Sequence, residues 1–309
     1  MSTRITNNML SRSVLSDLND IAAKQAHTRR EMSSGKAITK PSDDPFAAGR
    51  ALSLRSELAG VKQHERNVQE AQGWMTVTTT ALSSITDMAQ TARQLVVQGS
   101  TDTLPQESRN AIADQIDQLI AGMKQEANAT YDGRYVLGGN RTNVRPYDST
   151  TTRTDPAVTP NDAYAGDSAN QLRAIGPNVT LAVNVHGDEV LGGAPGATGN
   201  MLGVMRDIAN HLRSGDTATL GTTDLKAIQG QIDNLLSVQA RVGAGMNRLE
   251  TASSRLSEIE ESTTSMLSNT EDADMAETLV NFSTQQAVYQ SALKAGANIV
   301  QASLLDYLR

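Results

Sequence analysis

The segment MAETLVNFSTQQAVYQSALKAGANIVQASLLDYLR, running from Met275 to Arg309, decides how this chain is read. Alternating steps of four and three along it touch Met275, Leu279, Phe282, Gln286, Tyr289, Leu293, Gly296, Val300, Ser303 and Tyr307. Seven of these ten residues are large and apolar, and no step is broken. An apolar residue recurring every 3.5 positions marks a helix that packs lengthwise on another helix. Leu304, beside Ser303, joins the same apolar set. Asn269 or Thr270 is the expected N-cap. Glu271, Asp272 and Asp274 follow in the first turn, where carboxylates meet the positive end of the helix dipole. The seam reaches the last residues without a stop signal, so it is expected to be buried on another helix.

The first stretch of the chain is the natural partner. Leu10, Val14, Leu18 and Ile21, continued by Gln25, Thr28 and Met32, form a thinner seam on a helix expected over 5–33, with Gly35 as its C-cap. Residues 1–45 carry seven Lys/Arg and five Asp/Glu, a balance of +2; residues 269–309 carry two and five, a balance of −3. Opposite signs favour the two segments lying together, although exposed pairs contribute little each. An isolated helix of this kind is marginal in water. The terminal segments are therefore expected to become helical only in a polymer or on a partner.

Between the terminal stretches lies a long hairpin of helices. Pro41-Ser42-Asp43-Asp44-Pro45 reads as a helix start. Ser42 is the expected N-cap, Asp43 and Asp44 sit on the dipole, Pro45 falls in the first turn, and Pro41 and Phe46 flank it as a staple. Neighbouring carboxylates on a helix point about 100° apart, which argues against Asp43 and Asp44 as a catalytic pair. From there a seam of Leu54, Leu58, Val61, Val68, Met75 and Leu82 continues, after a slip at Ile85, to Val96, and Gly99 closes it. Thr103 to Gln106 resembles a capping box, and Ile112, Ile116, Leu119 and Met123 predict a second helix to about Thr130. A helix over 201–213 and the longest seam of all, thirteen positions from Leu225 to Leu267, lead back. Gly243 and Gly245 inside that last helix point to close helix approach.

The middle has no helical period. Asp132-Gly133 signals a hairpin. Val179, Leu181, Val183 and Val185 alternate as a half-buried strand, with a turn at His186-Gly187-Asp188 and a return at Val190-Leu191. The Gly-rich run from Leu191 to Met201 lacks the Gly-Lys-Ser/Thr ending of a phosphate loop. The expected architecture is mainly α: an antiparallel helical rod with a small β-rich insert. Its parts are a terminal coiled-coil domain (1–45 with 270–309), a helical rod domain (46–138 with 201–269) and the insert (139–200).

Composition narrows the function. The chain has 309 residues, no Cys and 3% aromatics, with a formal charge of −7. Thiol chemistry and disulfides are excluded, and thin helix-on-helix packing is favoured over one thick core. The acidic balance is a poor start for binding nucleic acid or an anionic membrane. No stretch approaches the roughly 18 apolar residues of a membrane span, and the first residues do not read as a Sec signal. His27, His64, His186 and His211 lie far apart, without a second ligand at helical spacing. No catalytic, cofactor or metal residue is expected.

Several motifs resemble the bacterial flagellin superfamily. They are Ser34-Gly35-Lys36 followed by Pro41 to Pro45 and Ala47-Ala48, the rod-helix stretch Ala92 to Gln98, the segment Asp132 to Thr142, and Glu271 to Glu277 with the tail through Leu308. The doubled proline around Ser-Asp-Asp is more like the superfamily's hook-filament junction branch than its filament flagellins. The resemblance covers about 1–142 and 201–309. It implies a secreted, extracellular structural protein of the flagellum, exported through the type III apparatus. Such a protein would stand as a ring of its own copies between the first hook-associated protein and flagellin. The terminal helices would carry assembly, and an export chaperone would hold the C-terminal region. A filament-forming flagellin and a secreted helical effector with a small-ligand site are the alternative readings.

Overall fold

The computed structural model describes residues 7–148, 162–192 and 200–307, with side chains from Arg12 to Ala297 of that range and at Met9. Two compact units emerge: residues 1–60 with 259–309, and residues 61–258. The expected boundaries at 45 and 270 fall inside the first unit, and the 139–200 insert belongs to the second.

The first unit is built on a helix pair. Helix α1 spans Asn7–Ser34 and the last helix, α8, spans Met275–Tyr307. Between them in sequence come α2 (Pro45–Gly99) and α7 (Leu225–Glu271), each of which supplies a segment to both units. All thirteen seam positions read in α7 are buried or half-buried. Asn269 and Thr270 do not start α8. They lie in the last turn of α7, where the Thr270 hydroxyl donates to the Met266 carbonyl at 2.7 Å. The N-cap of α8 is Asp274, whose Oδ1 accepts from the Ala276 and Glu277 amides at 2.9 and 3.2 Å.

In the second unit α2 buries Val68, Trp74, Met75, Leu82, Ile85 and Val96. From Ala71 onward its buried stripe widens beyond a single seam, because Ala71, Trp74, Thr78 and Ala81 are buried as well. Helix α3 (Gln106–Ala127) packs antiparallel on α5 (Met201–Ser214), and Arg213 reaches both Asp114 (2.9 Å) and Asp117 (2.6 Å). The expected capping box at Thr103–Gln106 does not form. Pro105 is the N-cap residue and makes no side-chain cap. The Gln106 amide is used elsewhere: it donates to the Leu212 and Arg213 carbonyls at 2.9 Å and so satisfies the C-terminus of α5. Gly245 lets α7 approach closely, since a Cβ there would stand 2.7 Å from Met75 Cε, whereas Gly243 faces open space.

The hairpin signal at Asp132-Gly133 is realised. Strands β1 (Thr130–Tyr131) and β2 (Arg134–Tyr135) flank a turn in which both central residues have positive φ, 50° and 71°. The alternating strand is β4 (Val179–Ala182), paired antiparallel with β3 (Leu172–Gly176). The expected return strand at Val190-Leu191 is instead a helical turn, α4 (Gly187–Val190), which buries both residues. Most of the Gly-rich run, 193–199, lies outside the described residues. Arg173 of β3 and Arg134 of β2 share the Glu70 carboxylate, each at 2.9 Å, and the Ala174 carbonyl accepts from Asn67 at 2.9 Å. These contacts fix the hairpins on α2. A short helix, α6 (Thr217–Thr219), and a π-helical turn over Leu220–Asp224 lead into α7.

One ion cluster ties three parts of this unit together. The ammonium of Lys124, only 2% exposed, lies 2.5 Å from Asp162, which also takes a bidentate contact from Arg206. Burial raises the Asp162 carboxyl, but donation from Arg206 and Lys124 outweighs it and leaves the group below the ordinary carboxylate range. A depressed carboxyl contributes stability at neutral pH that is lost as pH falls through its folded value. Asp162→Asn is expected to cost about 3 kcal/mol at neutral pH, because it strips a buried ammonium of its carboxylate. In urea unfolding the gap between variant and wild type should stay constant from pH 7 to about pH 4 and narrow as the pH falls further. A pH-independent gap would contradict this.

Candidate assembly interface

The loop after α1 and the break between α7 and α8 are stitched to each other. Gly35, at φ +69°, ends α1 in the left-handed conformation a C-cap requires. Its carbonyl accepts from the Ala273 amide at 3.0 Å, and the Ala37 amide donates to the Glu271 carbonyl at 2.8 Å. Lys36 and Asp272 form an isolated antiparallel bridge. The buried Glu271 carboxylate then accepts from Lys36 Nζ at 2.6 Å and from the Arg55 guanidinium of α2. Two motifs that lie 235 residues apart thus complete one structure. The opposite charge balance of the terminal segments is expressed in the Lys36–Glu271 pair.

The Pro41–Pro45 segment is a helix start, with different duties from those its sequence implied. Asp44, not Ser42, is the N-cap: its Oδ1 accepts from the Phe46 and Ala47 amides at 2.9 and 3.0 Å. Pro45 takes the first helical position, where its missing N–H costs nothing. Asp43 instead closes the preceding turn, accepting from the Lys40 and Thr39 amides at 2.8 and 3.2 Å and from the Thr39 hydroxyl at 2.9 Å. The Lys40 amide, followed by the Thr39 hydroxyl, holds its carboxyl below the ordinary range. His27 of α1 lies 3.7 Å from Asp43 and 3.2 Å from Glu31. There is no staple, because Phe46 is 83% exposed.

From this junction α1 and α8 run antiparallel. On α1 the half-buried positions Val14, Leu18, Ile21, Gln25 and Met32, with buried Thr28, follow the expected seam. On α8 the face turned inward is Thr278, Phe282, Gln285, Tyr289, Ala292 and Gly296. Phe282 and Tyr289 were expected there. Met275, Leu279 and Leu293 were also expected there but are 47%, 57% and 45% exposed; Val280 and Val288, on other faces of the helix, are exposed as well. Two contacts set this register. Gly296 admits Val14, whose Cγ1 would stand 2.9 Å from an added Cβ, and Gln285 donates to the Thr28 hydroxyl at 3.2 Å. Small and polar residues thus take the inner stripe and push part of the apolar seam outward. The side chains of Leu10, Val300, Leu304 and Tyr307 lie outside the described residues.

Among the described residues, no group of three or more His, Asp or Glu is placed to hold a metal ion, and no helix is long and apolar enough to cross a membrane. The elements around the stitched junction and the helix pair coincide with two family profiles. The bacterial flagellin N-terminal helical region matches residues 5–142, and the bacterial flagellin C-terminal helical region matches residues 225–308. The chain belongs to the bacterial flagellin family.

Flagellar hook-associated protein 3 of Salmonella typhimurium is 24% identical over 99% of this chain and 100% of its own length. Flagellin of Bacillus subtilis is 27% identical over the same shares. Among solved structures, a putative flagellar hook-associated protein from Vibrio parahaemolyticus superposes with a TM-score of 0.65 at 19% identity, covering 74% of this chain and all of that one. The mainly α, flagellin-like fold and the flagellar structural role implied by the sequence motifs are borne out. The Glu271 contacts and the Asp44 cap escaped sequence reading, because no periodicity links residues so distant and two adjacent Asp compete for one cap.

The burial at this junction is unequal. Glu271 is buried, whereas the side chains of Lys36 and Arg55 are 38% and 46% exposed. Removing both cations strands a buried carboxylate and should cost about 3 kcal/mol; Glu271→Gln should cost about 1 kcal/mol. The single Trp, Trp74, lies in the second unit, so its fluorescence follows that unit while far-UV circular dichroism follows both. In Lys36→Met/Arg55→Met the dichroism transition should move to lower urea ahead of the fluorescence transition. Transitions that shift together and equally would contradict a local role.

Proposed function

We propose that this chain is the hook-filament junction subunit of a bacterial flagellum, a structural protein without catalytic activity. The observation that carries the reading is the apolar stripe of Met275, Leu279 and Leu293 on α8, left exposed beside a seam already filled by α1, with Val280 and Val288 exposed on other faces of the helix. An apolar stripe left in water calls for a further helical partner, and among the described residues α1 covers only the inner stripe. The end-to-end likeness to a hook-associated protein 3 supports the junction role. On this reading the chain is secreted through the type III apparatus and stands extracellularly as a ring of its own copies. The first hook-associated protein lies on one side of that ring and flagellin on the other. Before assembly an export chaperone covers the C-terminal region. Leu10, Val14, Leu18 and Ile21 of α1 and the apolar residues of α8, Val300, Leu304 and Tyr307 included, form the assembly helices.

A second reading, a filament-forming flagellin, rests on the equally complete match to the Bacillus subtilis flagellin. Polymerisation followed by electron microscopy separates the two. A junction subunit binds to preformed filament ends and does not grow long filaments alone; long filaments from the pure chain would decide for the second reading. Leu279→Glu/Leu293→Glu should abolish end binding while leaving the monomer's melting temperature within about 2 °C, because surface substitutions cost little in the free chain. Undiminished end binding by this variant would contradict a role for the outer stripe.

A further inference from the structure

A cavity of about 290 Å³ opens beside the stitched junction, within the first unit. Ile38, Pro41 and Leu52 give it an apolar lining. Lys36, Lys40 and Arg55, against the single carboxylate of Glu271, leave that lining two charges positive. Nearby, Phe46 projects into solvent from the first turn of α2, held there by the Asp44 cap and by Pro45. It is one of only two Phe in the chain and forms no staple there. An exposed aromatic on a stiff, capped turn is a preorganised anchor, and two carboxylates, Asp43 and Asp44, stand at its base. Cavity and anchor match in size, in apolarity and in charge sign. The guanidinium of Arg55 on the cavity wall also suits an aromatic face.

We infer that the Phe46 ring of a second copy of this chain occupies this cavity, with its Asp43 and Asp44 against the basic lining. A knob and a hole carried by the same chain allow each copy to bind the next, the kind of contact from which rings and helical arrays are built. This deepens the junction reading and rests on it only for the assembled state in which copies meet. It places a subunit contact at the Pro41–Leu52 segment, distinct from the apolar stripe of α8.

The chain has no Cys, which makes the test direct. Phe46→Cys and Leu52→Cys are prepared as separate variants, one isotopically labelled. They are mixed at ten or more times the concentration at which the wild-type chain decorates ends, which offsets the ring lost in one variant, then assembled on flagellin filament ends and mildly oxidised. The expected product is a disulfide joining Cys at 46 of one copy to Cys at 52 of another, identified by mass spectrometry. Phe46→Ala should need about tenfold or more protein to decorate ends, since it removes one buried aromatic, and should keep the wild-type melting temperature. Decoration without the mixed disulfide, or Phe46→Ala decorating at wild-type concentration, overturns the contact and leaves the junction reading intact. Failure of the wild-type chain to decorate ends at all overturns both.

Discussion

One buried carboxylate organises the first unit. Glu271 ends α7, and its side chain takes a cation from the loop after α1 and another from α2, while its carbonyl takes the Ala37 amide. The loop after α1, the start of α2 and the distant end of α7 are thereby fixed at one point, and α1 and α8 depart from it. A carboxylate out of water is costly unless its partners are in place. The arrangement therefore discriminates sharply between the stitched junction and any partly opened form. The main-chain bonds on either side, Gly35 to Ala273 and Ala37 to Glu271, make the stitch directional and set the two helices antiparallel.

From that point the chemistry of α8 decides what the fold can and cannot satisfy alone. Its apolar residues are spread over more of its circumference than one partner helix covers. Phe282 and Tyr289 go inward with Thr278, Gln285, Ala292 and Gly296, and the bulky Met275, Leu279 and Leu293 stay in water. A polar contact in a helix seam fixes register at some cost in stability, and Gln285 with Thr28 fits that description. The pair is helical in the single chain, where the sequence reading expects helix only in a polymer or on a partner, but its seam is mostly half-buried, whereas seven of the thirteen α7 seam positions are fully buried.

That contrast explains what the sequence made legible. The long helices, the end at Gly99 and the hairpin at Asp132-Gly133 follow from local patterns and turn chemistry and are found as expected; the strand begins at Val179 as expected but stops at Ala182, short of Val183 and Val185. The register of α8 was not legible, because heptad counting identifies apolar positions without saying which of two adjacent stripes a given partner takes. The N-cap was misplaced by two residues because Ser42, Asp43 and Asp44 all have capping side chains, and only the paths of Thr39 and Lys40 recruit Asp43 for the turn. Gln106 was misread because its tertiary partner, the end of α5, outcompetes a local box. The Lys124–Asp162–Arg206 cluster joins residues that no local pattern connects.

The central claim is that α8 buries one stripe within the chain and keeps a second for a neighbour. Amide hydrogen exchange on α8, compared between the dilute chain and the chain bound at filament ends, tests it most directly. Partial burial predicts fast exchange along α8 in the free chain, well ahead of α3 and the first half of α7. On binding, exchange across 275–297 should slow at least tenfold. Equal protection of α8 in both states, at the level of the second unit's helices, would contradict the account.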